Sequence, residues 1–225
     1  MKKLNSSLTN MVVVLTSVAV ITGALLAWVN HVTAASIKIQ AAKTLSDGIK
    51  EVMGVDNLTV SSTDTITKNI DGKDATFVVY STCSQKDRKP LGVAVESATM
   101  GFGGTLNVLV GFAADGTLLG YKILQSSETP GLGQKADKWF QADGKGCIVG
   151  HKMDASKPLS VSKDGGDIDA ITASTITSRA FLKAVNQAFE ATQSIKPAST
   201  STDADSGASP QHATDAHTEA THQAK

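Results

Sequence analysis

A cluster of side-chain hydroxyl groups lies directly before a helical pattern in the last third of the chain. Four hydroxyl side chains fall within six residues: Thr172, Ser174, Thr175 and Thr177. The first turn of a helix leaves backbone N–H groups unpaired and carries the positive end of the helix dipole, which favours a phosphate. A phosphate could be bound there or bonded to a hydroxyl. The alternative is a loop in which serine or threonine only caps the helix.

The helix after this cluster is indicated by apolar residues at helical spacing between Phe181 and Phe189. Polar residues alternate with them in the pattern of a helix that is buried on one face. The spacing predicts a helix from about residue 178 to residue 192. We expect both phenylalanine side chains to belong to the core.

A second motif is a tight turn that begins with an acidic residue. Residues 128–133 read Glu-Thr-Pro-Gly-Leu-Gly. Proline and the two glycines, Gly131 and Gly133, favour a turn whose backbone can approach a flat ligand closely. Glu128 is expected at the mouth of this turn.

The segment before this turn has the pattern of a β-hairpin. Residues 101–112 and 118–124 predict two strands joined by an Asp-Gly turn at residues 115 and 116. Alternating apolar residues predict further strands at residues 74–80 and 91–96. Strands followed by a helix predict the α+β class, with antiparallel strands and packed helices.

These motifs occur together in a known family. Asp169, Thr172, Thr175 and Thr177 match the fixed positions of a flavinylation motif, roughly Asp-x-x-Ser/Thr-Gly-Ala-Thr-x-Thr. The stretch resembles the FMN-binding domain shared by the G subunit of Rnf electron-transport complexes and the C subunit of the sodium-pumping NADH:quinone reductase. The Glu-Thr-Pro-Gly-Leu-Gly turn and the glycine-led hairpin resemble the same family. The resemblance covers most of residues 93–189.

The resemblance implies that FMN is attached through a phosphoester to the Thr175 hydroxyl. Ala173 and Ser174 stand where the family usually has glycine and alanine, and Ser126 stands where histidine is frequent. In the family the turn at 128–133 lies against the flavin and its acid contacts the cofactor. The resemblance thus implies further FMN-binding residues, which are Glu128, Thr129, Gly131, Leu132, Gly133, Thr172, Ser174 and Thr177.

The resemblance also implies a function. It implies a subunit of an Rnf-type complex that passes electrons between reduced ferredoxin and NAD and couples this transfer to ion movement. No catalytic residue of its own and no metal site are expected. Residues 177–186 look more like the Rnf G subunit than like its quinone-reductase relative. The implied partners are the other membrane subunits of the complex and a flavin transferase that attaches FMN.

Two other classes of protein stay open. One is a membrane-anchored flavin-binding sensory or regulatory module without an electron partner. The other is an exported structural or adhesion domain in which the hydroxyl cluster only caps a helix. The 21 basic and 21 acidic residues give a formal net charge of zero, and no basic stripe is interleaved with aromatic residues. Nucleic acid is therefore not an expected partner.

The N-terminal segment has the composition of a membrane span. Residues 11–29 contain no charged side chain, and a helix of this length spans about 28 Å, close to the hydrocarbon thickness of a bilayer. Lys2 and Lys3 precede it, so the chain that follows is expected on the periplasmic side of the inner membrane. A cleaved signal is the alternative, because Val32, Thr33 and Ala34 resemble a cleavage site, but the long apolar run favours an anchor.

These observations divide the chain into four parts. We expect a cytoplasmic N-terminus at residues 1–10, a transmembrane helix at 11–30, a single extracytoplasmic FMN-binding domain at 31–195 and a disordered polar tail at 196–225. A second helix is predicted at residues 34–52, with Gly54 as its stop signal. The tail is rich in small polar residues and lacks the apolar surface needed to fold. Its histidines recur every five residues and do not align on one helical face.

Few aromatic and sulfur-containing side chains are available for roles at a flavin site. Aromatic residues make up 4% of the chain. Trp139 and Phe140 are the nearest rings after the turn at 128–133, and we expect both in the core. Cys83 and Cys147 could pair in an oxidising compartment. Their separation excludes a Cys-x-x-Cys motif.

Overall fold

The computed structural model describes residues 8–70 and 72–194. The elements follow the order α1 (Leu8–Met53), β1 (Leu58–Ile70), β2 (Lys73–Ser84), β3 (Pro90–Met100), β4 (Thr105–Ala113), β5 (Leu118–Ser126), α2 (Ala136–Trp139) and α3 (Thr175–Thr192). Two 3₁₀ turns, Gly133–Lys135 and Ser162–Asp164, complete the order. The predicted tail at 196–225 lies outside the described residues.

The five strands form one antiparallel sheet in which each strand pairs with its neighbours in sequence. Sequential antiparallel strands need only short connections, and the predicted Asp-Gly turn is one of them. Gly116 has a φ of +83° there, and the Ala113 N–H donates to the Thr117 carbonyl at 2.8 Å. The α+β class and the antiparallel sheet are therefore confirmed.

The predicted start of the hairpin differs from the observed one. Strand β4 begins at Thr105, and the preceding glycine-rich residues form a loop closed by a 2.8 Å hydrogen bond from the Gly101 N–H to the Gly104 carbonyl. The N–H groups of Phe102 and Gly103 donate to the Glu128 carboxylate instead of to the carbonyl groups of a neighbouring strand. These residues therefore stay outside the sheet because a side chain distant in sequence takes their hydrogen bonds.

The sheet is covered on both faces. Val108 and Val110 belong to the larger core cluster with residues of α3, whereas Leu109 between them packs with Ile49 and Val52 of α1. This alternation follows from the two-residue period of a strand. Helix α3 therefore covers one face, and the C-terminal part of α1 covers the other.

Helix α1 approaches the sheet closely because two glycines line its path. A Cβ atom at Gly111 would lie 2.6 Å from the Val52 carbonyl oxygen, and one at Gly120 would lie 3.1 Å from it. Gly111 and Gly120 are paired across β4 and β5. The two missing side chains let the helix backbone rest on the sheet.

The predicted span and the predicted second helix are parts of one continuous helix of 46 residues. It ends at Met53, before Gly54 with a φ of +64°, as the stop signal predicts. Apolar side chains in its N-terminal part are exposed, whereas Ile49, Val52 and Met53 near its end are buried. Among the described residues this is the one helix long and apolar enough to cross a membrane.

A cluster of three aromatic rings connects strand β5, the residue that follows α2, and helix α3. Phe181 stacks on Phe140 with ring centroids 4.5 Å apart, and its centroid lies 4.7 Å from that of Tyr121. The Tyr121 hydroxyl donates to the Ala136 carbonyl at 2.6 Å, and burial raises the pKa of this phenol. Phe140, Phe181 and Phe189 are in the core as predicted.

Candidate functional site

The hydroxyl cluster lies at the start of helix α3, which begins at Thr175, three residues before the predicted start. A turn precedes it, in which the Ser174 N–H donates to the Ile171 carbonyl at 3.0 Å. Ala173 in this turn has a φ of +61°, a left-handed conformation that glycine adopts without strain. Glycine, which stands at this position in the flavinylation motif that the stretch resembles, would avoid this strain.

The helix is not capped by the side chain of its N-cap residue. Ser174 occupies that position, but its hydroxyl makes no capping hydrogen bond. The Ser178 hydroxyl stabilises the turn instead, because it accepts from the Ile171 N–H at 2.9 Å and donates to the Ser174 carbonyl at 3.0 Å. No motif in the sequence indicated this role of Ser178.

The four predicted hydroxyl groups lie in different surroundings. Ser174 and Thr177 are buried, Thr175 is partly exposed and Thr172 is exposed. Thr177 is 1% exposed, and its hydroxyl donates to Glu128 Oε2 at 2.9 Å. A ligand that approaches from solvent therefore reaches Thr172 and Thr175, whereas Thr177 is part of the packing under them.

Glu128 joins three segments of the chain. Its side chain is 7% exposed, and its Oε1 accepts from the Phe102 N–H at 2.7 Å and the Gly103 N–H at 3.3 Å. Its Oε2 accepts from Thr177. The carboxylate therefore points inward, not out of the mouth of the turn as the sequence suggested. Its contact with the cofactor stays a prediction.

The turn at 128–133 has the predicted tight geometry. The Thr129 carbonyl accepts from the Leu132 N–H at 3.2 Å, and Gly131 has a φ of +76° with open space where a Cβ would lie. A Cβ at Gly133 would collide with Glu128 Oε2 and Thr177 Oγ1. Gly131 thus leaves the turn open to solvent, and Gly133 lets the turn pack against helix α3.

Three exposed apolar side chains come from the three segments that Glu128 joins. Phe102, Leu132 and Ile176 are 71%, 42% and 53% exposed. We call them the apolar rim. Ile176 follows Thr175 directly. Contiguous exposed apolar patches mark binding surfaces, and the hydrogen bonds of Glu128 hold together the three segments that carry these side chains. Leu132 belongs to the motif at 128–133, whereas no motif in the sequence indicated Phe102 or Ile176.

A basic side chain lies beside Thr175, and a second one follows on the same helix. Lys163 Nζ is 3.3 Å from Thr175 Oγ1. Arg179 forms a bidentate ion pair with Asp164, with Nε to Oδ2 at 2.7 Å and NH2 to Oδ1 at 2.5 Å. The hydrogen bonds from Arg179 lower the pKa of Asp164, and the same contact raises the pKa of Arg179. No motif in the sequence indicated Lys163.

The motif residue Asp169 contacts this region through the backbone and the side chain. Its carbonyl accepts from Trp139 Nε1 at 2.8 Å, and its Oδ1 accepts a long hydrogen bond of 3.5 Å from the Ser162 hydroxyl. Trp139 is only partly buried and packs against the edge of the core, while its ring N–H holds the loop before α3; Phe140 is fully buried. Cys83 and Cys147 are both free thiols.

The site lies inside a recognised domain. Residues 101–190 match the family model for the FMN-binding domain, and this stretch contains the apolar rim, Glu128, Lys163 and Thr175. The chain therefore contains an FMN-binding domain.

Several similar proteins belong to one subunit family within this class. The G subunit of the ion-translocating oxidoreductase complex of Shewanella baltica (strain OS223) is 36% identical over 179 residues, which cover 76% of this chain and 82% of the relative. Its counterpart from Yersinia pestis is 33% identical over 181 residues, covering 77% and 84%. The counterpart from Vibrio vulnificus (strain YJ016) is 32% identical over 179 residues, covering 75% and 82%. The chain belongs to the family of G subunits of ion-translocating oxidoreductase complexes.

Proposed function

We propose that this chain carries FMN joined covalently to Thr175 and acts as the electron-transfer subunit of a membrane-bound, Rnf-type ion-translocating oxidoreductase complex. The observation that carries the proposal is the environment of Thr175. It is a partly exposed hydroxyl at the first residue of a long helix, 3.3 Å from an ammonium group, inside an FMN-binding domain.

The residues around Thr175 fit the two chemically different ends of FMN. At the phosphate end, the N-terminus of α3 and Lys163 supply positive charge, and Thr172 supplies an exposed hydroxyl. At the ring end, the apolar rim supplies apolar contact area. The backbone of the turn at 128–133, with Gly131 open to solvent, allows close approach of a flat ring.

Glu128, Gly133, Ser174 and Thr177 act beneath this surface. Glu128 and Thr177 hold the glycine-rich loop, the turn and helix α3 together through their hydrogen bonds. This arrangement fixes where the apolar rim lies relative to Thr175. A binding surface made from a loop, a turn and a helix end needs such a rigid support.

Attachment requires one bond to form and one to break. The Thr175 oxygen bonds to the phosphorus of the FMN group as the bond from that phosphorus to the leaving group of an activated flavin donor breaks. The leaving group departs with the bonding electron pair, and the hydroxyl proton passes to solvent. No electrons are exchanged in this step, and a separate flavin transferase carries it out. Bound FMN supplies the electron-transfer chemistry, and the covalent tether prevents its loss from an exported domain.

The apolar part of α1 and the kinship with an ion-translocating complex together support a membrane location. We propose that residues 11–30 anchor the chain in the inner membrane, with residues 1–10 in the cytoplasm and residues 31–195 in the periplasm. Lys2 and Lys3 before the apolar run support this orientation. The other membrane subunits of the complex are the proposed electron partners.

The proposal is tested by the intact mass of the full-length chain after coexpression with a flavin transferase and complete denaturation. We expect an added mass of one FMN less one water, which peptide mapping localises to Thr175. An unmodified mass beside an active transferase, shown by labelling of a known acceptor protein in the same cells, contradicts covalent attachment.

A further inference from the structure

We infer that the ammonium group of Lys163 binds the phosphate of the flavin that is bonded to Thr175. The Arg179–Asp164 ion pair positions Lys163 for this contact. The inference rests on the proposed function, because it concerns the same hydroxyl. It assigns a task to two basic residues that belong to neither the threonine motif nor the turn at 128–133.

Lys163 is the middle residue of the 3₁₀ turn Ser162–Asp164. Its ammonium group approaches Thr175 Oγ1 to 3.3 Å across 12 residues of sequence. A phosphate bonded to this oxygen brings its negative charge next to the ammonium group. Charge-assisted hydrogen bonds from lysine to phosphate are about twice as strong as neutral ones, so Lys163 stabilises both the incoming phosphate and the attached phosphodiester.

The charge of Lys163 is available for this task. Among the described residues it has no carboxylate partner, whereas Arg179 has both Nε and NH2 bonded to Asp164. The positive charge of Arg179 is therefore balanced by a neighbouring carboxylate. Of the two basic residues near Thr175, Lys163 is the one whose positive charge a carboxylate does not offset.

The Arg179–Asp164 pair connects the lysine to the helix that carries the threonine. Arg179 follows Thr175 by four residues and so lies on the same face of α3, one turn further on. Asp164 follows Lys163 directly, and its N–H donates to the Val161 carbonyl at 2.8 Å. The bidentate contact therefore holds the 3₁₀ turn against α3 and keeps Lys163 within reach of Thr175.

The test compares initial rates of flavin attachment to the full-length chain in membranes, supplied with purified flavin transferase and its flavin donor. Attachment is followed by in-gel flavin fluorescence and intact mass. We expect Lys163→Gln to lower the rate about tenfold and Lys163→Arg, which keeps the charge, to restore most of it. Lys157→Gln is the matched control, because Lys157 is an exposed lysine of the same segment paired with Asp167.

Two further measurements distinguish an effect of the Lys163 charge on the attachment rate from a structural effect. They are the salt dependence of the rate and the rate of a double variant. Added salt should slow the wild type more than Lys163→Gln, because the variant lacks the charge that salt screens. Arg179→Gln should slow attachment, and the double variant should be no slower than Lys163→Gln, because Arg179 acts through Lys163. Thermal unfolding of each variant verifies that it is folded.

The outcomes are distinct. A folded Lys163→Gln variant labelled at the wild-type rate overturns the role of Lys163 while covalent attachment stands. Independent, multiplicative effects of the two substitutions overturn the positioning role of Arg179. If the wild type acquires no flavin at Thr175 while a known acceptor protein is labelled, the proposed function fails, and this inference fails with it.

Discussion

The buried hydroxyl of Thr177 donates a 2.9 Å hydrogen bond to the buried carboxylate of Glu128. The two residues are 49 positions apart in the sequence, and each comes from a motif that the family resemblance assigns to the flavin. Their contact fastens the turn at 128–133 to helix α3 and leaves Thr175, two residues earlier, at the surface. Two motif residues thus support the site from below.

Glu128→Gln should destabilise the folded chain by about 1–3 kcal/mol. The amide keeps the shape of the side chain, but its neutral oxygen accepts more weakly than a carboxylate oxygen from the Phe102 and Gly103 N–H groups. The free energy of unfolding from urea denaturation of the purified chain measures the loss. Glu190→Gln is the control because Glu190 is exposed, and equal stability of both variants would refute the supporting role of Glu128.

Thr175→Ala should abolish covalent flavin and leave a folded domain, since its side chain is only partly buried. Ser174→Ala should retain the label, because the Ser174 hydroxyl is buried and a transferase reaches Thr175 more readily. Thr172→Ala should also retain it, because Thr172 is not the bonded residue. In-gel flavin fluorescence of the denatured chains is the measurement, and fluorescence that persists in Thr175→Ala would assign attachment to another residue.

Ala173→Gly should stabilise the chain by up to about 1 kcal/mol. Alanine at a φ of +61° carries the steric cost of the left-handed region, about 1–2 kcal/mol, which glycine avoids. The greater freedom of glycine in the unfolded chain offsets part of this gain. The midpoint of thermal unfolding should rise accordingly.

Ala155→Gly is the control for this effect, because Ala155 is exposed and has no positive φ. It should leave the midpoint unchanged or lower it. A midpoint lowered by Ala173→Gly as much as by Ala155→Gly would show that the turn at Ala173 is not strained.

The ion pair of Asp164 should contribute to stability in a pH-dependent way. Hydrogen bonds from Arg179 lower the pKa of Asp164 in the folded chain. A lowered folded-state pKa means that this contribution is full above the unfolded value of about 3.9 and is lost as pH falls through the folded pKa. Asp164→Asn should therefore flatten the fall in stability between about pH 5 and pH 2.

Urea unfolding of both proteins across this pH range measures the difference, with Asp167→Asn as control because Asp167 pairs with exposed Lys157. Parallel pH profiles of the wild type and Asp164→Asn would show that the pair adds no pH-dependent stability. Since the pair is exposed, its effect should be small and should decrease with salt.

Sequence patterns predicted which helices and strands occur better than they predicted the residues at which these elements begin. The apolar spacing from Phe181 to Phe189 indicated α3, but the helix begins three residues earlier, at Thr175, because hydroxyl residues carry no apolar period. The segment at 101–104 was predicted as strand and is a loop. Its N–H groups bond to Glu128, which no local pattern reveals.

The sequence by itself determined the class of fold, the Asp-Gly hairpin turn, the apolar N-terminal helix and the motif threonines, because periodicity and turn chemistry are properties of neighbouring residues. Only the tertiary structure decided which hydroxyls face solvent, that Glu128 points inward and that Lys163 lies beside Thr175. These facts depend on contacts between segments brought together by the packing of α3 on the sheet. The direction of a side chain is set by that packing, and no local spacing encodes it.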